Sequence, residues 1–327
     1  MIGSAVAAVL LVAGTLSTIP THVYKVAADD KNETFVLNVL VRDNREPSSA
    51  TARLLSGDKL VETVSFTRED LAARRAVSFK GNGYTAAAFA AQDESYDLRH
   101  EFTTRASLRV DRLSYELRFT DGTKKRLDIP ITTYTQKTKM IFPVKGFFTV
   151  INGWISDRGH TEWSQYDAYD ITSLDSHLGI IKTNGETDED YYGWGREVLA
   201  PAAGVIAYAR NDVPDNPKPG AVDVAMLAKL PEAMWAAGGN CVVIDHGNGE
   251  FSFLAHMQHG SVRVKKSDRV DQGAVIGLVG ASGVAFAPHL HYHLMAGPTI
   301  FRSDPLPSRF ENTDVPTPRR GQYIEAK

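Results

Sequence analysis

A chain of 327 residues with 36 Lys and Arg against 39 Asp and Glu, a net charge of -3 and a single cysteine is long enough for two hydrophobic cores but carries no basic block. It is therefore not expected to bind nucleic acid, and a peptide or polymeric substrate would have to be held by shape and hydrogen bonds. Cys241 alone excludes an intrachain disulfide and cysteine-rich zinc modules; in the apolar run Asn240 to Ile244 it reads as a buried small hydrophobe.

In chain order, Ile2 to Ile19 is almost wholly apolar and small, followed by a small-residue site at Val26-Ala27-Ala28. Residues 1–28 read as a signal peptide or a membrane anchor: the n-region lacks Lys and Arg, and about 20 residues suffice to span a bilayer. Export is the favoured expectation, and a disulfide-free exported chain suits the periplasm or cell envelope of a bacterium.

Residues 30–137 show short alternating segments at Phe35–Val41, Ser107–Val110 and Tyr115–Phe119. A hairpin signal at Thr120-Asp121-Gly122-Thr123 leads to Arg126–Ile131. This is the pattern of an all-β sandwich. It has no cluster of His, Asp and Glu, so a spacer, or a module docking to an envelope partner, is the expectation. The polar stretch Thr132 to Lys139 links it to residues 140–310, where glycines mark the turns of further strands. Between Asn211 and Gly239 lie Pro214, Pro217 and Pro219, then a short helix around Val222 to Ala237. This excursion is either a wall or lid of a site or a plain surface insertion. The tail, residues 311–327, contains Pro316 and Pro318 and is expected to fray.

Three of ten histidines fall in the run Pro288-His289-Leu290-His291-Tyr292-His293. On a strand, the imidazoles share one face and Leu290, Tyr292 and Leu294 the other. Neutral imidazole is both a common transition-metal ligand and the usual acid or base near neutral pH. A catalytic zinc site takes three protein ligands and leaves one position open, so partners are needed from elsewhere. His160 follows the apolar strand Phe147–Ile151 and precedes Tyr169-Asp170-Ile171. His256 ends the run Phe253-Leu254-Ala255-His256-Met257, after the turn Asp245-His246-Gly247-Asn248-Gly249.

From about Phe142 to Met295 these blocks resemble the LytM/lysostaphin-type zinc endopeptidases, peptidase family M23. The framework runs Val198–Ile206, Val242–Gly249 and Val270–Gly277 are similar to that family too. The resemblance implies a β-rich LytM-like domain of the duplicated hybrid motif type, so that with the N-terminal β-sandwich the chain is expected to be mainly β. It also implies Zn²⁺ held by His160, Asp170 and His291, with His256 and His289 flanking the catalytic water. Which of those two is the base stays open. Many members place the aspartate four residues after the first histidine; here that position is Ser164, so Asp170 is preferred and Asp167 is its competitor. His293 stands where many members carry an acidic residue, either as a neighbour that orients a ligand or as an exposed side chain. His246 is expected to be structural; His259 lies three residues from His256, but the Leu254-Ala255-His256-Met257 setting favours His256; His22, His100 and His177 have no constellation around them.

The function implied is a zinc-dependent endopeptidase acting on peptidoglycan stems or cross-bridges. The alternative is a non-catalytic envelope protein that uses the same groove to bind peptidoglycan or to activate another hydrolase. A zinc esterase or amidase would differ only in its product.

Overall fold

The structure, a computed structural model, describes residues 23–27, 32–37, 45–73, 100–153, 160, 163–165, 167–300 and 302–327. The apolar segment Ile2 to Ile19 lies outside the described residues, as do His22 and part of the expected Phe35–Val41 strand. No helix among the described residues is long and apolar enough to cross a membrane.

The first strands are β1 (Val23–Ala27), β2 (Asn32–Leu37), β3 (Pro47–Ser56), β4 (Lys59–Phe66), β5 (His100–Arg105), β6 (Arg112–Phe119) and β7 (Lys124–Thr133), with one short helix, α1 (Arg68–Ala73). They hydrogen-bond edge to edge in one seven-stranded path, β4-β3-β6-β7-β1-β2-β5. Strands from both ends of this path contribute to a single core: Phe102 of β5 packs with Leu54 of β3, Phe66 of β4 and Leu113 and Leu117 of β6. The β6–β7 hairpin forms where Asp121-Gly122 predicts it. Asp121 Oδ1 accepts from the Thr123 amide at 2.9 Å, and Gly122 takes φ +83, a left-handed conformation that a side chain would strain. Ser107–Val110 is a connection rather than a strand, because a turn closes between the Leu108 amide and the Arg105 carbonyl.

Further along come β8 (Gly146–Gly153), β9 (Tyr169–Ser173), β10 (Glu197–Leu199), β11 (Gly204–Arg210), α2 (Val224–Leu227), α3 (Ala233–Ala236), β12 (Asn240–Asp245) and β13 (Phe251–Met257). These are followed by β14 (Arg269–Val270), β15 (Val275–Leu278), β16 (Leu290–Met295), β17 (Pro305–Leu306) and β18 (Tyr323–Ala326). One large sheet runs β14-β11-β12-β13-β16-β9-β8-β18, with β17 beside β16; β10 and β15 form a separate pair. Leu254, Leu290, Tyr292 and Leu294 bury themselves on one face of this sheet against Val198 and Ile276 of the smaller pair. The opposite face carries the imidazoles.

One expectation changes. The tail does not fray: β18 pairs antiparallel with β8, and Ile324 and Ala326 are buried in the main core. The polar stretch after β7 links the two halves and is itself held in place. Buried Glu250 accepts from the Lys137 amide at 2.7 Å, the Thr138 amide at 2.8 Å and the Tyr134 hydroxyl, clamping the stretch to the β12–β13 turn.

Candidate metal centre

Strand register assembles the site. In the antiparallel pairing of β16 with β9, His291 lies directly opposite Asp170, and in that of β8 with β9, Asn152 does. Cross-strand neighbours stand close enough for side chains to meet. His291 Nδ1 is 2.9 Å from Asp170 Oδ1, His160 Nε2 is 3.2 Å from the same oxygen, and Asn152 Nδ2 donates to Asp170 Oδ2 at 3.1 Å. One ligand atom from each of His160, Asp170 and His291 lies within 4.8 Å of the others. Zinc ligands bound at about 2.0–2.2 Å in tetrahedral geometry stand roughly 3.3 Å apart, so this donor set fits a zinc-sized cation.

Asp167 does not join the group. It lies before β9, where its charge bears on the Tyr24 hydroxyl together with that of Asp304, and desolvation pushes its own carboxyl up to about 7. Burial would raise Asp170 as well, but the His160 and His289 imidazoles beside it hold its carboxyl well below the ordinary range.

His256 reaches the site through a break in alternation. Between the pairs Val242↔Leu254 and Asn240↔Met257, β13 takes three steps where β12 takes two. His256 sits in this bulge with φ +62, an uncommon conformation for a residue with a side chain. Its amide donates to Gly238 O and its carbonyl accepts from the Gly280 amide, which hold it there. Strict alternation would send it to the core side, with Leu254. The bulge places its ring 4.8 Å from that of His289 and 5.8 Å from that of His291, centroid to centroid.

Both flanking imidazoles are fixed by carbonyls. His256 Nδ1 donates to Ser282 O at 2.9 Å and His289 Nδ1 to Ala287 O at 2.8 Å, which leaves each Nε2 as an acceptor. Burial, reinforced by His289 and His291, depresses the His256 pKa well below its ordinary value. Burial also lowers His289, but the Asp170 carboxylate, 3.5 Å from its Nε2, outweighs this and raises it. The His291 pKa is brought down to about 4, chiefly by burial. His293 is not exposed; it is buried with its Nδ1 2.9 Å from His291 Nε2.

Two other described histidines, His246 and His259, stay outside. His246 bridges Ala203 O and Ser252 Oγ as a structural residue, and the His259 ring meets Val213 O. Asn152, Ser282 and Ala287 went unrecognised in the sequence, since only strand register and loop path bring them to the imidazoles. The excursion after β11 proves to be a buttress. Buried Asn216 donates to the carbonyls of Ala281, Gly283 and Ala285 at 2.6, 3.0 and 2.9 Å, and so ties it to the loop whose Ser282 carbonyl holds His256.

Residues 191–302 match the family model described as Peptidase family M23. This part of the chain is thus similar to peptidase family M23. The matched segment contains His256, His289 and His291, whereas His160 and Asp170 precede it. Among curated relatives, the chain is 33% identical over 106 residues to the cell division protein DipM of Caulobacter vibrioides, covering 32% of this chain and 14% of DipM. It is 37% identical over 90 residues to the peptidoglycan DD-endopeptidase ShyA of Vibrio cholerae, covering 26% of this chain and 19% of ShyA. The matches thus span under a fifth of either relative. The catalytic domain of lysostaphin from Staphylococcus simulans aligns over 51% of this chain and 86% of that domain, at 17% identity and a TM-score of 0.25.

Proposed function

We propose that the chain is a zinc-dependent endopeptidase of the bacterial envelope, hydrolysing amide bonds in the peptides of peptidoglycan. The observation that carries this reading is convergence: three donors spaced for a metal meet two buried imidazoles whose Nδ1 atoms are held by backbone carbonyls. The likeness to ShyA, whose name states peptidoglycan DD-endopeptidase activity, supports the substrate class.

His160, Asp170 and His291 would hold the zinc, which when bound polarises a carbonyl and makes water a stronger acid. His256 acts as the general base. Its Nδ1 proton is committed to Ser282 O, and burial keeps its Nε2 unprotonated at neutral pH, ready to take a proton from the attacking water. His289, its Nδ1 held by Ala287 O, would orient the water and, once protonated, stabilise the developing oxyanion. Asn152 keeps Asp170 Oδ2 occupied so that Oδ1 is the ligand atom. The strands of residues 23–133 serve as an accessory module that docks to the envelope, and the N-terminal apolar segment directs export.

A non-catalytic relative of this kind would be expected to have lost a ligand or a flanking histidine, and none is missing here. Mass spectrometry of products from purified peptidoglycan tests the assignment: new amino termini within stems or cross-bridges are expected. Release of whole stems from the glycan would make the enzyme an amidase, and no cleavage would favour the binding protein.

A further inference from the structure

The ligand set leaves His293 unused. It is buried beside Phe253, its Nδ1 stands 2.9 Å from His291 Nε2, and its own Nε2 has no hydrogen-bond partner among the described residues. A neutral imidazole gives one nitrogen to a metal only when its proton sits on the other. The nitrogen of His291 that faces Asp170 is Nδ1, so a metal there requires the proton at Nε2, and the atom that Nε2 meets is His293 Nδ1. We propose that His293 is a positioning residue: its Nδ1 accepts the His291 Nε2 proton and holds His291 in the tautomer whose Nδ1 lone pair goes to the metal. This rests on the metal-site reading above.

Asp170 works against that tautomer when no metal is bound, since a carboxylate 2.9 Å from Nδ1 favours a proton there. Without an acceptor at position 293 the Nε2 proton would also be a buried donor with no partner, so both effects would favour the tautomer that cannot bind metal. The arrangement has a cost that mere packing does not explain. With its Nδ1 accepting, His293 must carry its own proton at the unpartnered Nε2, whereas an apolar ring would fill the same space beside Phe253 without stranding a polar atom.

The test uses the full chain and Zn²⁺ competition against a chromogenic chelator, comparing wild type, His293→Phe and His293→Asn. Asparagine places an amide oxygen about where the imidazole Nδ1 lies. His293→Phe is expected to weaken Zn²⁺ binding about 10- to 100-fold, and His293→Asn to restore most of it. In the zinc-loaded wild type, nitrogen-15 NMR should show the His291 proton on Nε2 with a coupling across the hydrogen bond to His293 Nδ1, a readout that needs no variant. Zn²⁺ binding by His293→Phe as tight as wild type, a His293→Asn variant as weak as His293→Phe, or absence of that coupling would each overturn the proposal while leaving the metal site standing. A wild-type chain that bound no Zn²⁺ would overturn the metal site itself, and the proposal with it.

Discussion

Asp170 and Asp167 lie three residues apart, and the difference between them is strand register. Asp170 is in β9 opposite His291, while Asp167 precedes the strand and bears on Tyr24. Asp170→Asn should therefore abolish zinc retention and Asp167→Asn should leave it intact, as measured by metal content after dialysis. His256 separates differently, because in the proposed reading it is the base and not a ligand. His256→Ala should keep its zinc and lose about 10²–10⁴ in kcat, read from cleavage of a stem peptide alongside metal analysis. Little of this is visible in residue order alone. The alternation at His289, His291 and His293 predicts one imidazole face, and the buried Leu290, Tyr292 and Leu294 on the other match it. Alternation gives the wrong face for His256, since a one-residue bulge with positive φ has no composition signal.

At the scale of elements, the strands from β8 to β16 follow apolar runs that are plain in the sequence, and the Asp121-Gly122 hairpin forms as its turn residues dictate. Two features were not legible: β18, whose four residues gain burial only once β8 offers an edge, and the anchoring of the excursion after β11. The prolines at 214, 217 and 219 announce a long connection, but a single asparagine with three carbonyl acceptors gives it its place. Asn216→Ala should cost about 2 kcal/mol of stability in denaturant unfolding. Because it frees the loop that bears Ser282, it should also lower turnover without changing zinc content.

Across the whole molecule, Glu250 is the point where the stretch after the N-terminal strands is fastened to the large sheet. Its burial would raise its pKa, but the Lys137 and Thr138 amides, the Thr138 side chain and the Tyr134 hydroxyl together hold it below 4.5. A carboxylate held below its unfolded value contributes stability above that value and loses it as the pH falls through the folded pKa. Glu250→Gln should thus destabilise the chain by about 3 kcal/mol at neutral pH, with the gap to wild type closing as the pH drops below 4.5. Thermal unfolding of both proteins across that range checks both the size and the sign. The polar composition of Thr132 to Lys139 marks a link but not how it is held, because the carboxylate that clamps it lies more than a hundred residues away in sequence.

In the proposed function, peptide cleavage depends on a zinc ion held by His160, Asp170 and His291. Zinc content and stem-peptide hydrolysis, measured together on wild type and His291→Ala, address it most directly. About one zinc per wild-type chain is expected, with cleavage that a chelator abolishes, and neither zinc nor cleavage in a folded His291→Ala variant. Cleavage that persists in His291→Ala with no bound metal would contradict it.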